Sequence, residues 1–292
     1  MPGGYAYDND VDAAVQQHAC LSAMLDDFTK ARLSTVDAYA TAGPALGPFR
    51  GPDPVPDPAA GASTVADPAA GTDAFRCLEV GAGAGSIARW LADRGASVVA
   101  TDLKPSHLSE DAGIQVLAHD IVADPVPDPP YDLVHARLLL LHLPERERVL
   151  RKLAAALRPG GSLVVEDWHV SVEHLVLDAP EPADVALFDR YQHALIGILD
   201  NDPTWATRIH AKMVAAGLRR VETAIHSPVW PAGSPGALLV TVNLALFRER
   251  LLDAGLTGGE LDHLEWLVRD PRSGLVIRGH FLYSTIGHAP AP

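Results

Sequence analysis

The chain has 292 residues, 48% of them hydrophobic, so it is long enough for one large α/β domain or two small ones with a substantial core. Its formal net charge of −14 argues against nucleic-acid binding, which requires a basic patch or stripe. Two cysteines do not make a disulfide framework, the N-terminus lacks the segments of a signal peptide, and the apolar run at 138–141 is too short to span a bilayer. We therefore predict a cytoplasmic protein with no nucleic-acid and no membrane partner.

Two N-terminal stretches differ in composition from the rest of the chain. Residues 9–39 are rich in Ala, with apolar residues at helical spacing, which predicts one or two amphipathic helices within a helical cap over 1–42. Residues 43–73 are dominated by Gly, Pro, Ala and Asp, and the pentapeptide Asp57–Gly61 recurs as Asp67–Gly71. Such a composition buries too little apolar surface to fold alone, so we predict a mobile linker or a surface loop, followed by one domain over 74–292.

The most informative segment is Cys77–Ser86, which reads as a buried strand, a glycine-rich turn and the start of a helix. Gly81, Gly83 and Gly85 allow a small molecule to approach the backbone N–H groups and the helix N-terminus where a Cβ would block it. A dinucleotide-binding loop has glycines at its first, third and sixth positions, but the sixth position here is a serine. Glu79, at the end of the strand, suits a cationic or hydroxyl-bearing ligand and would repel a pyrophosphate.

Strands and helices alternate beyond this loop, which predicts a parallel sheet with right-handed crossovers. Arg158–Gly161 reads as a turn before the fifth strand, and Gly274–Ile286 as one long final strand. The other predicted strands are 96–101, 114–118, 131–136, 162–167 and 220–226. The predicted helices are 86–94, 145–157, 183–200, 202–216 and 238–267, the last broken near Gly255 and Gly258.

The pattern E-x-G-x-G-x-G over Glu79–Gly85 resembles motif I of the class I S-adenosylmethionine-dependent methyltransferases, and the resemblance covers roughly residues 74–168. The flanking parts loosely resemble the small-molecule, actinobacterial natural-product branch, whose opening motif matches Tyr5–Asn9. The resemblance implies a Rossmann-like α/β fold: a seven-stranded, mainly parallel sheet with helices on both faces. It also implies that an N-terminal helical segment and helical lid insertions near 170–202 and 232–270 cover the acceptor.

The resemblance implies S-adenosylmethionine as the methyl donor and S-adenosylhomocysteine as the product. Asp102, at the tip of the second strand, is placed to hydrogen-bond ribose hydroxyls, and Asp120 matches the family's adenine contact; a helix-cap or turn role is the alternative for each. Arg137 is placed to bind the methionyl carboxylate or an acidic acceptor, with a salt bridge to Asp132 or Glu145 as the alternative. The full predicted cofactor set is Glu79, Gly81, Ala82, Gly83, Gly85, Asp102, Leu103, Asp120, Ile121 and Arg137.

An oxygen acceptor of high pKa needs a general base, and histidine is the usual choice near neutral pH. Four histidines fall near predicted strand tips. His169 follows the fifth strand, whose tip faces the acceptor in the family, and is the preferred base. His142 is the second candidate, with a positioning role as its alternative, whereas His119 reads as a loop residue and His135 as a packed one.

Four further residues are candidate acceptor contacts, with lid packing or a solvent-facing position as the alternative. They are Tyr191 and His193 on the first insertion, and Arg278 and His280 on the final strand. Histidines at the spacing of a zinc helix and a Cys-x-x-Cys pair are both absent from the sequence, so no metal is predicted.

These features predict transfer of a methyl group to a small organic acceptor, at oxygen, in secondary metabolism. One alternative is an enzyme that retains the cofactor but catalyses a cyclisation or rearrangement. A nicotinamide-dependent oxidoreductase is disfavoured by Glu79 and by the serine in the third-glycine position. A non-catalytic partner subunit is the last alternative, and an exposed apolar lid face would suit either such a subunit or a homodimeric enzyme.

Overall fold

The structure, a computed structural model, describes residues 13–36, 74–199 and 201–291. The predicted linker at 43–73 and the Tyr5–Asn9 motif lie outside the described residues. Within the described ranges, no helix is both long and apolar enough to cross a membrane.

Strands and helices follow the predicted alternation closely. The strands are β1 (Arg76–Val80), β2 (Ser97–Asp102), β3 (Ile114–Ala118), β4 (Tyr131–Arg137), β5 (Leu157–His169), β6 (Val176–Asp178), β7 (Arg219–His226), β8 (Val229–Pro231), β9 (Val276–Arg278) and β10 (Phe281–His288). The α-helices are α1 (Ala13–Leu33), α2 (Ser86–Ala92), α3 (Arg146–Ala155), α4 (Pro182–Leu199), α5 (Ile209–Ala215), α6 (Pro235–Asp253) and α7 (Gly258–Arg269).

Seven strands form the central sheet in the order β3-β2-β1-β4-β5-β10-β7. Strands β1 to β5 pair in parallel, and β10 runs antiparallel to both of its neighbours. This confirms the predicted Rossmann-like, mainly parallel sheet. The strand order reverses between β1 and β4, and ligands of open α/β sheets bind at the carboxyl ends of the strands beside such a reversal.

Helices cover both faces of this sheet. Alternate residues of β1 and β4 enter two separate hydrophobic cores, Leu78 and Val134 in one, Cys77 and Leu133 in the other. Helices α3 and α5 contribute to the first core, and α1 and α2 to the second. Because both faces are covered, β4 is buried along its whole length except at Arg137, where it reaches the reversal point.

The two insertions form a third core of their own. Helices α4, α6 and α7 pack there with a three-stranded sheet of order β6-β9-β8, and we call this assembly the helical layer. Helix α1 joins it, since Gln16 Nε2 donates a hydrogen bond to Thr241 Oγ1 of α6 at 3.2 Å. The break predicted near Gly255 and Gly258 falls between α6 and α7, as expected.

The predicted single strand over Gly274–Ile286 is wrong. The chain leaves β9 at Gly279, whose amide donates to the Pro228 carbonyl at 2.8 Å, and β10 then enters the central sheet. A Cβ on Gly279 would lie 2.6 Å from the Trp230 ring, so the indole fits only against a glycine there. The alternating pattern of this segment could not predict the break, because the tryptophan that requires it lies elsewhere in the chain.

The predicted turn at Arg158–Gly161 also proves to be part of a strand. Tyr131 pairs with Leu157 and Leu133 with Ser162, so the four residues between bulge out of β5 without ending it. A Cβ on Gly161 would lie 2.8 Å from the Tyr131 carbonyl oxygen, which explains why a glycine is needed there.

The contact between Gly236 and Trp230 gives a test of the packing in the helical layer. A Cβ on Gly236 would lie 2.1 Å from the indole, so Gly236→Ala should lower the free energy of unfolding by about 1–3 kcal/mol, the usual cost of overpacking. Gly197 in α4 has no atom within 4 Å of such a Cβ and is the matched control. Gly197→Ala should be neutral or stabilising by up to about 1 kcal/mol. Equal effects in urea denaturation would contradict the packing described.

Candidate active site

A cavity of about 420 Å³ lies beyond the carboxyl ends of β1 to β4, beside the reversal in strand order. The glycine loop after β1, the tips of β2 and β4, the residues after β3 and one face of α1 line it. The predicted cofactor residues that line it are Gly81, Ala82, Gly83, Asp102, Leu103, Asp120, Ile121 and Arg137. Its volume falls within the range of about 300–1,000 Å³ that is typical of small-molecule sites.

The glycine loop provides room and curvature for this cavity. Gly81, Gly83 and Gly85 have φ values of +68°, +56° and +75°, a region that favours glycine. The Gly83 amide donates to Asp102 Oδ2 at 3.0 Å, and the Ala82 and Gly85 amides donate to backbone carbonyls. These three N–H groups are therefore already used within the protein, contrary to our expectation that the loop offers them to the ligand.

The two acids at the neighbouring strand tips line the cavity and can accept hydrogen bonds from a ligand. Asp102 accepts amide hydrogens from Gly83 and from Lys104, one on each oxygen, at 3.0 Å. Burial raises the pKa of Asp102, and these two hydrogen bonds offset part of the rise. Asp120 Oδ1 accepts from the amides of Val122 and Ala123 at 2.8 and 3.2 Å. Both acids line the cavity, and because a carboxylate accepts several hydrogen bonds, each can bind hydroxyl or amino hydrogens of a ligand.

Glu79 does not line the cavity, which corrects its predicted role as a cofactor contact. Its carboxylate is buried, and Oε2 lies 2.7 Å from Nδ1 of His135. Nε2 of His135 lies 3.6 Å from Glu166 of β5, so the imidazole sits between two carboxylates beneath the glycine loop. Burial alone would lower the pKa of His135, but Glu79 and Glu166 outweigh it and raise the pKa to about 9.

This buried group extends to helix α1 through Thr29 and Arg137. Thr29 Oγ1 donates to Glu166 Oε2 at 2.5 Å and accepts from Arg137 at 3.0 Å. Arg137 also pairs with Asp26 of α1 at 2.9 Å, rather than with Asp132 or Glu145 as the salt-bridge alternative predicted. Asp132 is instead paired with the Arg158 guanidinium at 2.5 Å.

Helix α1 reaches the cavity itself, which sequence reasoning did not specify residue by residue. Ser86 of the glycine loop donates to Asp26 at 3.1 Å and accepts from Ser22 at 3.2 Å. His18 lies over the loop, since its ring would be 2.9 Å from a Cβ on Gly83. Asp26 and Thr29 are polar residues on the buried side of an otherwise apolar helix face, and that is the one sequence signal that could have identified the contact.

A second cavity, of about 110 Å³, lies between the sheet and the helical layer. Gln17, Leu21 and Leu138 line both cavities, so the two meet there. Leu138 has a φ of +52°, which is sparsely populated by residues other than glycine. Its amide donates to the Glu166 carbonyl at 2.7 Å, so β5 contributes to holding this backbone strain at the junction.

Two histidines line the second cavity in their neutral form. Burial, and then the positive charge of Arg146, lower the pKa of His142 to about 4. Burial, and then Arg278, lower the pKa of His280 to about 4 as well. A neutral imidazole can accept a proton from a bound hydroxyl group, although a pKa of about 4 makes each of these two a weaker base than a free imidazole.

His169, the preferred base from the sequence, lines neither cavity. It ends β5 opposite Phe281 in the sheet, and its ring lies 6.0 Å from Phe281 and 6.2 Å from Tyr283. Its side chain therefore packs against aromatic residues of the neighbouring strand β10. His119 does line the larger cavity, and its Nε2 lies 2.8 Å from the Pro125 carbonyl.

Of the predicted acceptor contacts, the two from the C-terminal part line the second cavity and the two from α4 do not. Arg278 and His280 are part of its wall. Tyr191 is fully buried against Phe188, with ring centroids 5.8 Å apart, and burial raises its pKa. His193 is exposed, with Nδ1 2.8 Å from the Asp189 carbonyl. Sequence reasoning missed the neighbouring polar residues Gln192, Asn201 and Asn243, which carry no motif.

Comparison with known proteins places the site in a family. Residues 78–165, from β1 to β5, match the family profile described as a methyltransferase domain. This segment carries the glycine loop and the acids at the strand tips. Residues 78–165 are a methyltransferase domain.

Curated relatives of the methyltransferase domain match the same part of the chain. Methyltransferase GfsG of Streptomyces halstedii is 32% identical over 103 residues, 32% of this chain and 37% of that protein. The ubiquinone biosynthesis O-methyltransferase of Marinobacter nauticus is 32% identical over 101 residues, 31% of this chain and 42% of that protein. The matched part therefore spans less than half the length of these relatives. Among solved structures, phosphoethanolamine N-methyltransferase 2 of Haemonchus contortus is similar over 76% of this chain and 50% of its own, with 14% identity and a TM-score of 0.44.

The residues of the larger cavity fit S-adenosylmethionine. Gly81 and Gly83 line the cavity with backbone that carries no side chain, and the Asp102 carboxylate, which also lines it, can accept hydrogen bonds from a vicinal diol. Leu103, 59% exposed, and Ile121 provide apolar surface beside the acids for a flat ring. The described residues contain no group of three or more His, Cys, Asp or Glu side chains able to hold a metal ion.

The glycine loop leads to a prediction about cofactor binding. Gly83→Ala places a Cβ at a φ of +56° and 2.9 Å from His18, so we expect affinity for S-adenosylhomocysteine to fall at least about tenfold. Gly95→Ala is the control, because Gly95 also has a positive φ of +86° but no neighbour within 4 Å of the new Cβ. Both changes should destabilise the fold by about 1–2 kcal/mol, and only the first should weaken calorimetric binding. Equal affinity for S-adenosylhomocysteine in the two variants would show that the cofactor does not bind at this loop.

The buried imidazole predicts a specific dependence of stability on pH. The folded-state pKa of His135 is about 9 against 6.5 in the unfolded chain, so its stabilisation is complete below pH 6.5 and is lost as pH rises through 9. His135→Leu should remove this dependence and lower the free energy of unfolding at pH 7 by about 3–5 kcal/mol, because two buried carboxylates lose their partner. Urea denaturation across that range measures both effects. His210→Leu, at an exposed position of α5, is the control. If the unfolding free energy of His135→Leu depended on pH as in the native protein, the assignment would be contradicted.

Proposed function

We propose that this chain transfers a methyl group from S-adenosylmethionine to the hydroxyl oxygen of a small organic acceptor. The larger cavity would hold the donor and the smaller one the acceptor. The observation that carries the proposal is the junction at Leu138, where a cavity that fits the cofactor meets a smaller cavity lined by neutral histidines.

Methyl transfer from an activated donor does not require a covalent intermediate with the protein. S-adenosylmethionine supplies, when bound, a methyl group already activated on a sulfonium. The chain has to hold the acceptor in line with that group, exclude water and take up a proton. As the new carbon–oxygen bond forms and the carbon–sulfur bond breaks, the hydroxyl proton goes to a neutral imidazole, for which His142 and His280 are the candidates in the cavity wall.

The charges around the second cavity favour oxygen over a cationic nitrogen as the acceptor atom. Its wall contains the Arg278 guanidinium and, among the described residues, no Asp or Glu. A protonated amine would therefore meet a like charge with no carboxylate to offset it. The relatives include enzymes named as O-, N- and C-methyltransferases, so their names do not decide which atom accepts the methyl group.

The size of the second cavity and the state of the cysteines bear on the biological setting. A cavity of about 110 Å³ suits a small molecule better than a polymer, which supports a role in small-molecule, secondary metabolism. Cys20 and Cys77 are free and buried, which agrees with a reducing, cytoplasmic location. A homodimer, and the alternatives of a cyclising enzyme or a partner subunit, stay predictions that the assay below separates.

The proposal is tested by binding and then by turnover. Calorimetric titration should show micromolar binding of S-adenosylmethionine and S-adenosylhomocysteine, and none of a reduced nicotinamide cofactor. Incubation with a pool of hydroxylated acceptors should then yield a product heavier by one CH2 group. His142→Ala should reduce turnover about 100-fold or more if it is the base, with unchanged cofactor affinity, whereas the exposed His210→Ala should not.

Each negative result has its own meaning. Cofactor binding with a product of unchanged mass would favour a cyclisation or rearrangement. Failure to bind either adenosyl compound would overturn the donor site and leave a partner subunit as the better reading.

A further inference from the structure

The wall of the second cavity contains buried polar atoms that have no hydrogen-bond partner among the described residues. They are Oε1 of Gln192, Oδ1 of Asn201 and Nδ1 of His280. Gln192 is only 6% exposed, so its orphaned oxygen cannot be explained as a surface group. Leaving such an atom unsatisfied costs about 1–3 kcal/mol, which indicates that a bound molecule satisfies these atoms.

All three atoms are hydrogen-bond acceptors, so the bound molecule must supply the donor groups. The amide oxygens of Gln192 and Asn201 are acceptors only. Because burial and the neighbouring Arg278 and His169 charges lower the pKa of His280, its ring is neutral at pH 7, and with the proton on Nε2 its Nδ1 also accepts. The acceptor molecule must therefore carry several donor hydrogens.

Most of the other residues in the wall are apolar, and several are aromatic. Trp168, Phe188 and Trp230 are among the lining residues, and Trp168 meets the His280 ring edge-on at a centroid distance of 5.8 Å. Trp230 is held rigidly, because its indole is in close contact with the backbone of both Gly236 and Gly279. Rigid aromatic walls pack well against a planar ring and poorly against a flexible chain.

The volume of the cavity limits the size of the ring. It measures about 110 Å³, less than the apolar protein cavity of about 150 Å³ that is known to take a single benzene ring, so a bound ring would extend in part toward the larger cavity at Leu138. A fused bicyclic system would have to extend further in that direction, into the space of the cofactor.

The positive charge of Arg278 determines which ligand charges are compatible with the second cavity. Its guanidinium donates to the carbonyls of Gly279 and Glu173 at 2.8 Å and stacks 4.3 Å from the Phe281 ring centroid. Its positive charge in the wall disfavours an ammonium group and is compatible with a neutral or anionic hydroxyl-bearing ring.

We propose that the acceptor is a single aromatic ring with at least two hydroxyl groups, one donating to Gln192 Oε1 and another to His280 Nδ1. This inference rests on the proposed function, because it takes the second cavity to be the acceptor site. It assigns Gln192 as a specificity-determining residue, distinct from the residues that bind the cofactor.

Calorimetry with three probes tests the inference on the full chain saturated with S-adenosylhomocysteine. Catechol, phenol and toluene share one ring and differ in hydroxyl number. Wild-type affinity should fall about 3- to 10-fold with each hydroxyl removed, the value of one hydrogen bond. In Gln192→Leu catechol should bind about 3- to 10-fold more weakly and toluene at least as tightly as in the wild type, because the orphaned oxygen is gone.

The control for this variant is Gln115→Leu, the same substitution at an exposed position of β3 outside both cavities. It should leave all three affinities unchanged. Gln192→Leu removes an unsatisfied buried group and should fold, which its S-adenosylhomocysteine affinity reports. Naphthalene-2,3-diol should bind more weakly than catechol because of its size.

The possible results separate this inference from the function on which it rests. If the protein fails to bind S-adenosylhomocysteine, the proposed function itself fails. If it binds that compound but shows toluene as tight as catechol, or an affinity order unchanged by Gln192→Leu, the inference alone is overturned. Tighter binding of the naphthalene diol would overturn the size limit and, with it, the single-ring assignment.

Discussion

The buried imidazolium of His135 between Glu79 and Glu166 is the interaction on which the site depends most. It joins the three central strands β1, β4 and β5 at the level where the glycine loop begins. Glu166 in turn accepts from Thr29 of α1, next to Arg137. A buried charge of this kind is tolerated only when it is fully paired, so the sheet centre and the covering helix must assemble together.

The consequence for the site is that the larger cavity is lined by a helix as well as by loops. Helix α1 carries Asp26 to Arg137 and to Ser86 of the glycine loop, and its preceding turns face both cavities. The strained backbone of Leu138 lies where the two cavities meet, one residue beyond the Arg137 that α1 holds. Strain at such a point persists because the surrounding hydrogen bonds over-determine it.

Sequence reasoning was most accurate for features built from consecutive residues and least accurate for side-chain direction. It predicted the glycine loop, the strand alternation and the acids that line the cavity. It failed for His169, which follows β5 as predicted but packs on Phe281, while His280 from the other side of the helical layer lines the acceptor cavity. It also read Gly274–Ile286 as one strand, because the indole that requires a break at Gly279 comes from Trp230.

The amino-acid sequence by itself determined the class of fold and the position of the glycine loop that lines the larger cavity, because periodic apolar strands and glycine-rich turns are local properties of the chain. The tertiary structure alone decided which polar groups meet. Glu79 turned inward to His135 and Arg137 turned to Asp26, since buried charges select partners by distance in space and not along the chain. The lining of the second cavity was likewise decided only when six separated segments packed into one wall, which no single stretch of sequence encodes.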